Sequence, residues 1–140
     1  KFNNGMEYFN SFGGNPVSCA IGKAVLDVID KEELQKNAKL VGDYLIKKLK
    51  GLQSNYEFIG QVRGQGLFIG IEMINDVETL KPDKDSAKII ANEMKKSGIL
   101  ISIDGPDHNV LKIKPPIIFN YENADELVFN FRSILNKYYA

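Results

Sequence analysis

Apolar positions at steps of three and four alternate with short apolar runs along this chain, and that alternation sets out its elements. Leu34, Ala38, Val41, Leu45, Leu49 and Leu52 share one face of a helix. Asp30 with Glu33 three residues on has the pattern of a capping box and predicts where that helix begins. Ala87, Ile90, Ala91 and Met94 mark another helix over 84–97, with Gly98 as its stop. Leu127, Val128, Phe131, Ile134, Leu135 and Tyr138 mark the apolar face of a final helix starting near Asn120. Between these helices the period changes. Phe58, Ile59 and Val62 precede Gly64 and Gly66, and Leu67, Phe68, Ile69, Ile71, Met73 and Ile74 follow. This predicts a strand, a tight glycine turn and a mostly buried strand. Residues 75–82 read as a polar loop. Ile99–Ile103 and Val110–Ile113 read as short strands around the turn sequence Asp104-Gly105-Pro106-Asp107, with Pro115-Pro116 stopping the second.

Residues 1–14 read as a loop rich in Asn, Gly and aromatics. Asn15-Pro16 then predicts a helix to about Ile29, with a side-chain cap followed by proline in the first turn. Its small residues Ser18, Cys19, Ala20, Gly22 and Ala24 imply close packing against another element. Where that element is missing, apolar surface should be exposed. The order helix, helix, strand, strand, helix, strand, strand, helix predicts an α+β fold, with helices on one face of a mainly antiparallel sheet.

Composition narrows the function classes. The length of 140 residues suits one compact domain, and an apolar fraction of 44% supplies an ordinary core. Eighteen basic and eighteen acidic side chains cancel, which argues against a general nucleic-acid or anionic-membrane binder. The lone cysteine, Cys19, excludes an intrachain disulfide and fits a reducing compartment, so a cytoplasmic location is expected. No apolar run reaches membrane-spanning length. The chain starts at Lys1 and not at Met, and it reads as a piece of a longer protein.

Three segments carry candidate chemistry. In Asn10-Ser11-Phe12-Gly13-Gly14-Asn15-Pro16 a hydroxyl, two glycines and a helix start could form an anion site, or simply a helix-entry loop. In Val62-Arg63-Gly64-Gln65-Gly66-Leu67 the planar fork of Arg63 suits a carboxylate or phosphate, or is a solvated arginine in a turn. In the third segment, Asp104 to Pro116, His108 lacks a nearby Cys or carboxylate cluster and makes a poor metal site, so no metal is expected. There Lys112 and Lys114 alternate with apolar residues, as on the solvent face of an edge strand.

Ser-Phe-Gly-Gly-Asn-Pro-Val-Ser-Cys-Ala, Val-Arg-Gly-Gln-Gly-Leu-Phe and Asn-Val-Leu-Lys-Ile-Lys-Pro-Pro stand here in that order. In order and spacing they resemble the C-terminal third of class III pyridoxal-phosphate-dependent aminotransferases. The similarity is greatest to the branch with alanine–glyoxylate aminotransferase-like proteins and the phospholyases of ethanolamine phosphate and phosphohydroxylysine. The resemblance implies a fold-type I enzyme using pyridoxal 5′-phosphate and acting as a homodimer. Residues 1–29 would be the tail of its large domain, and residues 30–140 its C-terminal small domain. It implies that Ser11, where threonine is commoner, contacts the cofactor phosphate across the dimer interface, with the backbone N–H of Asn10 beside it. It implies that Arg63 binds the substrate carboxylate. The reaction implied moves an amino group between an amino acid and a 2-oxo acid such as glyoxylate or pyruvate. The alternative is phosphate elimination from an amino-alcohol phosphate. A non-enzymatic protein-binding module is the reading from another class. The family's Schiff-base lysine lies upstream, so no catalytic residue is assigned in this chain, and the chain alone is expected to be inactive.

Overall fold

A computed structural model describes residue 5 and residues 9–139. Helix α1 spans Pro16–Lys31, α2 Leu34–Gln53, α3 Lys84–Lys96 and α4 Tyr121–Tyr139; the strands are β1 Ile59–Gln65, β2 Phe68–Asp76, β3 Lys81–Pro82, β4 Ser102–Asp104 and β5 Val110–Ile113. The chain divides into two compact units, Lys1–Glu33 and Leu34–Ala140.

In the first unit, the Asn15 side chain accepts from the Ser18 N–H at 2.9 Å and caps α1, with Pro16 in the first turn. The helix continues past Ile29, and this overturns the capping box read at Asp30 and Glu33. Asp30 lies inside α1, where its carbonyl accepts from the Glu33 N–H at 3.2 Å. Glu33, the residue before α2, takes a left-handed conformation at φ 49°. No residue of α1 is buried.

The second unit is an antiparallel sheet of order β1-β2-β5-β4, with β3 paired to β2. One face of the sheet carries Val62, Ile69, Ile71, Met73, Leu111 and Ile113, all buried. These pack in one core with Leu45 and Leu49 of α2, Ile90 and Met94 of α3, and Phe131 and Leu135 of α4. The expected α+β layering is therefore present. Gly66, at φ 54°, opens the two-residue turn that joins β1 to β2, the Gly-first pattern of a tight hairpin. That turn lies against α2 because position 42 is glycine: a Cβ there would meet the Gly66 carbonyl oxygen at 2.0 Å.

Four expectations about this unit need correction. The strand read over Ile99–Ile103 starts at Ser102, because Ile99 is used to end α3. Its N–H donates to the Met94 carbonyl at 2.9 Å and that of Gly98 to Lys95 at 3.0 Å, a Schellman stop with Gly98 at φ 81°. Within the loop read over 75–82, Lys81–Pro82 pairs with β2. β5 is an interior strand between β2 and β4, so Lys112 is not on an edge. Finally, Tyr138 is 42% exposed, and its neighbour Tyr139 turns to the core instead.

Candidate active site

Alternation along β2 decides what the sheet shows on its second face. With Ile69, Ile71 and Met73 directed to the core, Phe68, Gly70 and Glu72 fall on the other side. Cross-strand register then fixes their neighbours. Arg63 of β1 stands opposite Gly70, and Gly70 opposite Lys112 of β5; Gln61 stands opposite Glu72, and Glu72 opposite Val110. In β4, Ser102 and Asp104 stand opposite Lys112 and Val110. The helices α2, α3 and α4 pack on the apolar face, so this polar face lies on the side away from their core.

Arg63 is thus a strand residue, three positions before the turn and not in it. Its guanidinium donates to Gln61 Oε1 at 2.7 Å and pairs with Glu72. Across the glycine, Lys112 pairs with Asp104, whose carboxyl is held below the ordinary carboxylate range by the Lys112 hydrogen bond first and the Gly105 N–H second. Between the two ion pairs lies a cavity of about 440 Å³, lined by Arg63, Gly64, Phe68, Gly70, Asp104 and Lys112 among others. Gly70 floors it. A Cβ there would come within 3.2 Å of Val110 Cγ1 and 4.0 Å of Arg63 Cγ, so any side chain would fill the space between strands β1 and β5. Asn109, 3% exposed, ties the β4–β5 turn to β2: its side-chain amide donates to the Met73 carbonyl at 2.8 Å. A larger hollow of about 540 Å³ lies between α2 and the hairpin turn, but its Lys39 is held by Asp43 on the same helix.

Gln61, Gly70 and Glu72 lie outside the three candidate segments of the sequence, and Asp104 and Lys112 lie in the third without an assigned site role. The signal for Gly70 and Glu72 was available in the strict alternation of β2. Their meeting with Lys112 and Asp104 depends on strand order, which no local pattern encodes.

Ser11 and Asn10 lie in the other unit, in the loop before α1. Ser11 is exposed. The Asn10 side chain accepts from the N–H groups of Phe12 at 3.0 Å and Gly13 at 3.1 Å, which shapes the loop as an Asx turn. The helix end itself has little to offer an anion, because Pro16 has no N–H and that of Ser18 is already held by Asn15. The donor set therefore fits a supplementary contact to a phosphate, through the Ser11 hydroxyl, and not a complete phosphate cradle. His108 is exposed, at φ 53° in the β4–β5 turn, and among the described residues no cluster of His, Cys, Asp or Glu could hold a metal.

The sequence model of the aminotransferase class-III family matches residues 3–135. The chain belongs to the class III aminotransferases. It is 51% identical over 132 residues to an alanine–glyoxylate aminotransferase 2-like protein of Drosophila melanogaster, covering 94% of this chain and 27% of that one. It is 43% identical over 129 residues to ethanolamine-phosphate phospho-lyase homolog 1 of Caenorhabditis elegans, covering 91% of this chain and 28% of that one. Among solved structures, an Arthrobacter phospholyase in complex with phosphoethanolamine superposes with a TM-score of 0.84 at 41% identity, over 92% of this chain and 31% of that chain. An amine transaminase from an uncultivated Pseudomonas species, in its pyridoxal-phosphate-bound form, superposes with a TM-score of 0.79 at 29% identity, over 98% of this chain and 31% of that chain. The chain thus spans about a quarter of the length of the curated relatives it matches. The family it belongs to uses pyridoxal 5′-phosphate.

Proposed function

We propose that this chain is the substrate-orienting C-terminal part of a class III aminotransferase that exchanges an amino group between an amino acid and a 2-oxo acid. The observation that carries the reading is the Arg63 guanidinium, set in the wall of a glycine-floored cavity on the polar face of the sheet. Pyridoxal phosphate, when bound, supplies the electron sink for the amino transfer. Arg63 takes the substrate carboxylate through its planar fork, and Gln61 and Glu72 fix the plane of that fork. Ser11 adds one hydroxyl contact to the cofactor phosphate, with the Asn10 N–H beside it. Residues 1–29 belong in this reading to the large domain, which supports the assignment of the unburied apolar stripe of α1 to an interface with it. The enzyme is a homodimer, and Ser11 serves the partner's site. No lysine here matches the family's cofactor-anchoring motif, so the chain alone is inactive.

A second reading is favoured by two likenesses, the nematode phospho-lyase homolog and the phosphoethanolamine-bound bacterial phospholyase. In it the same scaffold eliminates phosphate from an amino-alcohol phosphate, and Arg63 meets a phosphate instead of a carboxylate.

Two measurements test these readings. Mixing this chain with pyridoxal phosphate and borohydride should give no stoichiometric labelling; complete labelling of a single lysine would place the active centre within these residues and overturn the proposal. The longer enzyme carrying this chain should consume glyoxylate with alanine as donor. Release of phosphate and an aldehyde from ethanolamine phosphate, with no glyoxylate consumed, would establish the second reading instead.

A further inference from the structure

We infer that Asp104-Gly105 is a site of spontaneous backbone modification, where the Gly105 nitrogen attacks the Asp104 side chain to close a succinimide that reopens as isoaspartate, and that the Lys112 ion pair restrains it. The inference is independent of the reaction proposed above. This is the only Asp-Gly pair in the sequence, and it stands at the end of β4, where the chain turns towards β5. Three observations converge there. Gly105 has no Cβ to shield its nitrogen, and at φ 86° it takes a conformation that favours glycine. Its N–H donates to Asp104 Oδ1 at 2.9 Å, so the carboxyl group is already folded over the amide that attacks it. The Asp104 side chain is 57% exposed, which leaves room for the group to turn and for water to enter.

In the ring-closing step the Gly105 nitrogen forms a bond to Asp104 Cγ and gives up its proton, and the Cγ hydroxyl leaves with that proton as water. Water then adds to either carbonyl of the ring. Opening at Cγ returns aspartate. Opening at the backbone carbonyl leaves the chain running through Cγ, with the main-chain carboxylate free. Isoaspartate lengthens the backbone by one carbon, which ends the Asp104–Val110 pairing and draws the free carboxylate back onto Cα, away from Lys112 in the cavity wall. Charge opposes what geometry favours. The neutral carboxyl group is the reactive form, because a carboxylate is a poor electrophile. Lys112 keeps Asp104 ionised: its hydrogen bond is the first cause holding this carboxyl below the ordinary range, ahead of the Gly105 N–H, and His108 of the same turn adds a smaller share.

The test is ageing of this chain in heavy-oxygen water at neutral pH, followed by peptide mapping with electron-transfer fragmentation, which separates isoaspartate from aspartate. Each ring opening takes one heavy oxygen from solvent, so events that return aspartate are counted as well. Lys112→Met should raise label uptake at Asp104 by roughly tenfold, and Lys112→Arg should restore the slow rate. Asp104→Asn tests the geometry without the charge: its neutral amide should lose ammonia in the folded chain at least as fast as in a short unfolded peptide of the same sequence. Uptake in Lys112→Met is read on folded protein only, and Asp104→Asn decides if that variant does not fold. Uptake unchanged by Lys112→Met, or loss of ammonia slower in folded Asp104→Asn than in the peptide, would overturn the inference.

Discussion

Helices α1 and α2 carry the same pattern and meet opposite fates. Val17, Ile21, Val25 and Val28 follow one another at steps of four, four and three, as do Val41, Leu45, Leu49 and Leu52. The first set is 46–69% exposed and the second at most 1%. An apolar stripe at helical spacing states that a helix has a partner. It does not state which partner. For α2 the partners are the sheet and α4, held also by a Tyr44 hydroxyl that donates to Asp125 at 2.7 Å. In α1 no residue is buried, in keeping with its proposed place against a large domain.

Substitutions can break this contrast, and the largest effect belongs to the buried set. Phe131→Ala or Leu45→Ala should cost about 3–5 kcal/mol, because each leaves a void in the shared core. Chemical denaturation of the chain would show it as a lower midpoint with an unchanged slope. Gly42→Ala should cost about 1–3 kcal/mol, since its methyl group meets the hairpin carbonyl and must push the turn away from α2. The same denaturation experiment measures it, and a neutral result would mean that α2 and the turn are not in close contact.

Acid should weaken the second unit through Glu93. Its carboxylate is lowered to about 2, by Lys96 first and also through Tyr138 and Lys137, and the Lys137 contact at 3.3 Å ties α3 to α4. A depressed carboxylate contributes stability that is present above its unfolded value and disappears as pH falls towards the folded one. Thermal melting between pH 5 and pH 2, roughly the window set by that shift, should therefore fall more steeply in the parent than in Glu93→Gln. The smallest effect is expected on the exposed stripe. Ile21→Ser or Val25→Ser should change stability by no more than about 0.5 kcal/mol while reducing the binding of an apolar dye. A core-sized loss at either position would show that α1 has a partner within the chain.

Much of this structure could be read locally. The stripes of α2, α3 and α4, the glycine stop at Gly98 and the hairpin at Gly66 are each written in a few adjacent residues. Boundaries were harder where two local signals compete. Asp30 and Glu33 have the spacing of a cap, but helix continuation claims the Asp30 carbonyl. Ile99 has a strand's composition, but the end of α3 claims its N–H. Arg63 stands out as a candidate by its glycine-flanked motif, which does not by itself separate a ligand contact from a solvated arginine. Its counter-ion Glu72 and its neighbour Lys112 become visible only when β5 is inserted beside β2, a pairing over some forty residues of chain that the turn sequences do not specify.

The most direct test of the account is the effect of Arg63→Gln on the pyridoxal-phosphate-loaded enzyme that carries this chain, with steady-state kinetics for an amino-acid donor and for a primary amine without a carboxylate. Loss of the bidentate contact should raise KM for the amino acid by roughly ten- to a hundredfold and leave the amine little changed. An equal loss for both donors, or no loss for either, would contradict the assignment of Arg63 to the substrate carboxylate.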